Sequence, residues 1–400
     1  MIAIIGAGAS GLVAAIVAAR LGAKVCIFEK NTKVGKKILA TGNGRCNITN
    51  EHIGVENFHG QNPSFVKACL KEFNTFTCKN FFEELGILVK EGQKGRLYPY
   101  SGHSSSVVEL LVYECERLGV EIFLESEVLE IEKKADNFAL ILENKVVHVK
   151  KVLIATGGLA MPSLGSSQSG YMFAKAFQHT IIPTHPSLVQ LVCEENLKSI
   201  SGVKCEGEVS LLVDNELCAK SYGDILFTDY GVSGSAILDI SREASSALMF
   251  QRAVRLKLDV ISEFSKEQLK TLLHKRLRFA HAKSLSMWLD GFMNPKLARF
   301  VERELKLSFA KDLSQKEISK LIYMLKNFTL HVKDTKGFKT AEVTAGGVDV
   351  NEINPTTLES KLVKNLFFSG EVIDIDGDCG GYNLHWAWAS GYMAGKALAR

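Results

Sequence analysis

Metal-ligand spacing is missing from this chain. Its nine cysteines stand at 26, 46, 69, 78, 115, 193, 205, 218 and 379, with no Cys-x-x-Cys pair and no histidines clustered beside them. That argues against a zinc site and a disulfide scaffold, so no metal is expected. An odd, dispersed set of thiols suits a reducing compartment, and a cytoplasmic location is expected. No run reaches the ~18 apolar residues that a membrane helix needs. The apolar start has no basic leader before it, so it reads as structure and not as a secretory signal. No Ser/His/Asp set or paired-carboxylate arrangement stands out, and repeats and low-complexity segments are lacking. Net charge is only +4, too little to argue for nucleic acid by itself.

What is present fits a multidomain globular protein. At 400 residues the chain is too long for one ordinary core. Ile2–Ile5 reads as a strand, Gly6–Gly11 as a tight turn, Leu12–Leu21 as a helix and Lys24–Glu29 as a second strand, a parallel crossover unit. A Gly- and Lys-rich loop covers 34–50. Helices are expected over Phe65–Leu85 and Ser105–Leu118. Strands are expected over Val120–Phe123, Ser126–Lys133, Ala139–Leu142, Lys145–Val149 and Val152–Ala155.

From about 188 to 258 short β-branched runs alternate with turn residues, the texture of a small β-domain. From 262 to 327 the texture turns helical, with capping-box patterns at Ser265/Gln268 and Ser314/Glu317 and a turn at Asn294-Pro295. This helical stretch holds 14 Lys and Arg against 7 Asp and Glu, a net +7, which leaves −3 for the rest. Its charges follow helical spacing, as on a solvated surface, and the weight of the reading is against nucleic acid as a partner. Strand texture returns at Thr329–Val332 and Lys339–Val343. A last apolar strand ends at Phe367-Phe368, and Leu384–Leu398 reads as a terminal helix.

The chemistry starts at Gly6-Ala7-Gly8-Ala9-Ser10-Gly11, which follows a strand and opens a helix. Gly6 suits the tight turn, Gly8 a close approach of backbone to pyrophosphate, and Gly11 close helix–strand packing. The helix N-terminus offers free N–H groups and the positive end of its dipole to a phosphate. Glu29, 21 residues after Gly8, ends the second strand, where a carboxylate takes the hydroxyls of an adenosine ribose. That unit alone does not choose between NAD and FAD. Further close-approach segments lie far away: Thr156-Gly157-Gly158 after a buried strand, Gly370-Glu371, and Gly380-Gly381-Tyr382-Asn383 before the last helix. A long ligand needs contacts spread in this way. No second Gly-x-Gly-x-x-Gly unit occurs, so a dedicated nicotinamide domain is not expected.

Three groups of residues carry a family resemblance. The first is Gly6–Gly11 with Gly35-Lys36-Lys37-Ile38-Leu39-Ala40-Thr41-Gly42-Asn43-Gly44-Arg45-Cys46-Asn47-Ile48-Thr49-Asn50. The second is Leu226–Gly234 with Thr344-Ala345-Gly346-Gly347-Val348. The third is Ser369–Asp374 with Asp376–Leu384. Together they make the chain resemble the YhiN/BaiN-type family of predicted NAD(P)/FAD-dependent oxidoreductases, two-dinucleotide-binding-domain flavoproteins, over essentially its whole length.

The resemblance implies an α/β fold: a Rossmann-like FAD-binding domain (1–187 and 343–400), an inserted small β-domain (188–261 and 328–342) and, within that, a helical insert (262–327). It implies FAD, with NAD(P)H as a transient reductant, and hydride transfer through flavin N5 to a small organic substrate. By position, Ala9 and Ser10 would touch the pyrophosphate, and Glu29 and Lys30 the adenosine end. Lys37 and Thr41, Gly42, Asn43, Gly44 and Arg45 would run beside the ribityl chain and ring. Gly370, Glu371 and Asp374 would approach the pyrophosphate and ribityl hydroxyls. Gly381, Tyr382, Asn383 and Leu384 would face the flavin N1–O2 side, and Val128 joins the set.

The chain departs from that family at Asp229, where His is common, at Ser235, where Pro is common, and at His385, where Gln is common. Arg45, Cys46 and His385 are candidate catalytic groups, each with a structural alternative: a salt bridge, a packed thiol, a core histidine. Two other readings stand beside the oxidoreductase, an RNA-binding or RNA-modifying flavoprotein using the basic insert and a non-catalytic redox sensor.

Overall fold

The computed structural model describes residues 1–311 and 313–400 and divides into two compact units, 1–185 with 342–400, and 186–341. The first unit is built on five parallel strands in the spatial order Glu121–Phe123, Val25–Phe28, Ile2–Ile5, Lys151–Ile154, Leu366–Phe368. Numbered along the chain, this is the order 3-2-1-4-5 of a doubly wound sheet, reversing direction at Ile2–Ile5. Ligands bind such sheets beyond the carboxyl ends of the strands at that reversal. The strands are short, continuous apolar runs because both faces are covered. Helix Ala9–Arg20 is buried along most of its length, which explains why Ala and Val fill it with no polar stripe. It lies against helix Tyr382–Leu398, where a side chain on Gly391 would strike the Ser10 carbonyl and one on Gly395 would reach the Ala14 carbonyl at 2.7 Å. The last helix is thus pressed onto the first. A three-stranded antiparallel sheet (Val128–Lys133, Phe138–Leu142, Val146–Val149) completes the unit with smaller ribbons.

The second unit contains a closed barrel of six strands, in the order Leu191–Cys193, Gly231–Ser233, Glu216–Phe227, Lys204–Val213, Val254–Asp259, Phe328–Thr335. Four helices lie between the last two strands: Lys266–Leu277, Leu285–Leu289, Pro295–Leu305 and Gln315–Lys326. Both capping boxes form, Ser265 with Gln268 and Ser314 with Glu317, and Asn294 caps the helix that Pro295 opens. The helices have an apolar core of their own, although Leu297 and Phe300 of Pro295–Leu305 pack into the core of the barrel. On the ground of that own core we propose counting the helices as a domain inserted in the barrel.

Several local expectations shift. Phe65–Leu85 is two helices, Lys67–Glu72 and Thr75–Glu84, because the Asn74 side chain accepts the Thr77 N–H and starts a new helix. The loop 34–50 holds a short helix, Lys36–Ala40. Helix Ser235–Met249 stands where only β texture was expected. The strand expected at Lys339–Val343 runs instead over Val343–Val348. Among the described residues no helix is long and apolar enough to cross a membrane, and no group of three His, Cys, Asp or Glu could hold a metal.

Candidate functional site

The glycine turn sits at the carboxyl end of Ile2–Ile5. Gly6 has φ 107° and a side chain there would meet the Ala155 carbonyl at 2.5 Å. A Cβ on Gly11 would collide with the Gly6 carbonyl oxygen, whereas nothing lies within 4 Å of one on Gly8. Gly6 and Gly11 therefore close the turn, and Gly8 borders open space. Gly8 caps the helix, and Ala9 and Ser10 begin it with no acidic residue in the first turn. The Glu29 carboxylate is buried beside the turn. It accepts the Ala7 N–H at 2.8 Å on one oxygen, and the Asn31 N–H at 2.8 Å and amide at 2.6 Å on the other. A carboxylate has about four acceptor positions, so capacity remains for one hydroxyl donor. Lys30 follows it, half-buried.

Lys37, on Lys36–Ala40, pairs with Glu371 at 2.6 Å, which joins residues 334 apart in sequence. Glu371 also accepts the Thr344 N–H at 2.9 Å, and the Thr344 hydroxyl accepts the Leu159 and Ala160 N–H groups at 2.8 and 3.0 Å. The loop Thr156-Gly157-Gly158 is thereby tied to Gly370-Glu371. Gly370 has φ 76°, and a side chain there would press on the Ser10 hydroxyl at 2.7 Å. Asp374 is buried and accepts the Gln61 N–H at 2.9 Å.

Thr41–Gly44 is a tight turn in which Gly42 and Asn43 are left-handed, followed by left-handed Gly44 and Cys46. Arg45 is exposed and its guanidinium lies 4.6 Å over the Tyr98 ring. Cys46 is fully buried, and burial pushes its thiol up to about 12. It is held as a neutral packed thiol, not a nucleophile. Gly381 (φ 100°) caps helix Tyr382–Leu398, whose first turn has no acidic residue. The Asn383 side chain brackets Gly377, accepting its N–H at 2.8 Å and donating to its carbonyl at 2.7 Å.

His385 is fully buried, and desolvation lowers it to about 4. Its Nε2 lies 2.9 Å from the Phe73 carbonyl, which only accepts, so Nδ1 takes the Thr49 hydroxyl proton at 2.8 Å. With both nitrogens engaged, it has the setting of a core histidine and not of a proton donor. Val128 is buried at the start of its strand, paired with Leu142.

Some groups were given no site role of their own from sequence, although Asn47, Ser369 and Asp378 stand in the segments that carry the resemblance. The Asn47 side-chain oxygen is buried with no hydrogen-bond partner, 2.9 Å from where a Gly381 side chain would begin. The Tyr171 hydroxyl and the Ser369 hydroxyl are likewise unpartnered, and Tyr171 feels the Glu371 and Asp374 carboxylates. Unpaired buried polar atoms cost about 1–3 kcal/mol each. Their position among the candidate segments fits a polar ligand there. His59 Nε2 lies 2.7 Å from Asp378, which also accepts from Asn57 at 3.2 Å. The Glu342 carboxyl is pushed up by burial, against the pull of Lys37 and Arg96. None of these pairings is local in sequence.

Residues 1–397 match the family model described as HI0933-like protein Rossmann domain. The chain is 38% identical over 407 residues to a 3-dehydro-bile acid delta(4,6)-reductase of Clostridium scindens, covering 100% of this chain and 98% of that protein. It is 34% identical over 413 residues to a ribosomal RNA dihydrouridine synthase of Haemophilus influenzae, covering 99% and 98%. Among solved structures, a 3-ketosteroid-delta4-(5alpha)-dehydrogenase from Rhodococcus jostii RHA1 is similar in fold, with TM-score 0.50, 15% identity, and 100% and 96% of the two chains covered.

Proposed function

This chain belongs to the HI0933-like Rossmann-domain family, and on that premise we propose that it is an FAD-dependent oxidoreductase that saturates a carbon–carbon double bond conjugated to a carbonyl. The observation that carries the reading is a chemistry shared by two relatives with unlike substrates. A delta(4,6)-reductase of a 3-dehydro-bile acid acts on double bonds conjugated to a ketone. Making dihydrouridine saturates the uracil double bond beside its carbonyl. FAD, when bound and reduced, would supply a hydride through N5 to the far carbon of such a bond.

The chain's own groups would bind and orient. Gly8, Ala9 and Ser10 would offer backbone N–H groups to the pyrophosphate, and Glu29 would accept from the ribose. Lys37 and Glu371 would fix each other beside the ribityl path, with Asp374 as a further acceptor. The N-terminus of Tyr382–Leu398, free of acidic residues, would stabilise negative charge on the ring. Asn47 would meet a donor on the ring's edge. His59, held by Asp378, is our proposed proton source for the second carbon. NAD(P)H is the proposed reductant, the substrate a small organic molecule and the cytoplasm the location.

A second reading takes uracil in RNA as the substrate. The +7 charge of residues 262–327 favours it, as does the name of the Haemophilus relative. The test is the absorbance spectrum of the purified protein, then anaerobic bleaching by NADPH or NADH. Reoxidation is then attempted with a 4-en-3-oxo steroid or with unmodified RNA. Recovery of the yellow band with either acceptor supports the reading. A colourless protein that takes up no FAD, or a reduced one that only dioxygen reoxidises, would overturn it.

A further inference from the structure

We propose that one end of the helical insert, formed by residues 278–289 and 305–311, is a docking surface for single-stranded RNA. The proposal rests on the second reading above and gives it a location. The two stretches are one surface. The Leu285 N–H donates to the Ser308 carbonyl at 3.0 Å, the Ala310 N–H to the Lys283 carbonyl at 3.3 Å, and Ser284 bridges Phe309. Their own side chains carry positive charge only, at Arg278, Lys283, Lys306 and Lys311. One carboxylate borders them, Glu302, which accepts the Ser286 N–H at 3.3 Å, and Asp290 and Asp312 follow them in the sequence. Elsewhere in the insert Lys326 pairs with Asp259 and Arg303 with Glu304. No ion pair is recorded for Arg278, Lys306 or Lys311 among the described residues.

Large apolar side chains stand out beside these cations. Phe279 is 61% exposed, Met287 62% and Phe309 49%. Such groups are costly to leave in water, and a cluster of them marks an interaction site. The partner must have flat apolar faces and a continuous negative backbone. Single-stranded RNA has both, since bases stack on aromatic rings while lysine and arginine follow the phosphates. The turn that presents Phe279 is held by Lys283, whose ammonium donates to the Phe279 carbonyl at 3.0 Å. The ring is therefore offered by a braced turn, which lowers the entropy cost of binding.

The test uses the FAD-loaded protein and a labelled, uridine-rich single-stranded RNA, with binding read by fluorescence anisotropy at increasing salt. Wild type is expected to bind with log Kd rising linearly with log salt, by about 0.7 per neutralised phosphate. Replacing both rings, Phe279→Ala with Phe309→Ala, should weaken binding roughly tenfold or more at every salt concentration. Arg278→Glu with Lys311→Glu should weaken it and flatten the salt slope. Unchanged far-ultraviolet circular dichroism and thermal melting in each variant report an intact insert, which the flavin spectrum alone would not. If all variants bind as wild type does, this surface is overturned while the RNA reading stands. If wild type shows no salt-sensitive RNA binding, the RNA reading itself fails. Binding to phosphatidylglycerol vesicles in place of RNA would overturn both.

Discussion

Two side chains show how much a single residue decides here. His385 is buried neutral at about 4, below its ordinary 6.5, by desolvation. In the unfolded chain it takes a proton near 6.5. Between those values the unfolded state binds more protons, so stability is full above pH 6.5 and falls as pH drops toward 4. The shift corresponds to a loss on the order of 3 kcal/mol. Denaturant unfolding of the FAD-free protein at neutral pH and near pH 4.5 should show a smaller acid loss in His385→Gln than in wild type. Equal losses would place the sensitivity elsewhere. Asn47 makes the opposite kind of prediction. Its unpartnered oxygen is a cost to the folded protein without FAD, so Asn47→Leu should leave apo stability unchanged or raised. FAD affinity, followed by flavin fluorescence, should fall about threefold to tenfold, the worth of one hydrogen bond. A loss of apo stability with unchanged affinity would make Asn47 a structural residue.

At the scale of elements, the glycine turn separates folding from binding. Gly8→Ala meets no atom within 4 Å and sits at φ −86°, so stability should change by less than about 1 kcal/mol while FAD binding weakens. Gly11→Ala drives a methyl into the Gly6 carbonyl, and should cost several kcal/mol, as overpacking of a buried site does. Thermal melts with and without FAD distinguish the two; equal destabilisation by both would remove the special status of Gly8. This turn was legible because strand, glycines and helix are contiguous. The capping boxes were legible for the same reason. Helix Ser235–Met249 was not, although Ala236, Ile237, Ile240, Ala244 and Ala247 share its buried face. The polar residues between them dilute the pattern, and the flanking strands dominate the local composition. Asn74 hid a helix break in a continuous apolar texture, because a cap depends on one side-chain bond and not on hydrophobicity. Asn47 and Thr344 were legible only as members of the segments that carry the resemblance, and Tyr171 not at all: what these side chains touch, or fail to touch, is set by segments up to hundreds of residues away.

At the scale of the molecule, the doubly wound class was readable from the first thirty residues, but the strand order was not. The fifth strand, Leu366–Phe368, joins the sheet from beyond the whole second unit, and no local pattern specifies its neighbour. This arrangement sets a timetable. A ribosome adds roughly 5–20 residues per second, so the helix at 382–398 follows the first strand by roughly 20 to 80 seconds. During that interval residues 186–341 have been made in full and are able to close their barrel. Until the last helix is made, the face of Ala9–Arg20 that it covers stays open, exposed to aggregation and to chaperones. The glycine turn is thus made long before the helix that packs against it, and its surroundings are complete only once residues 382–398 have been added.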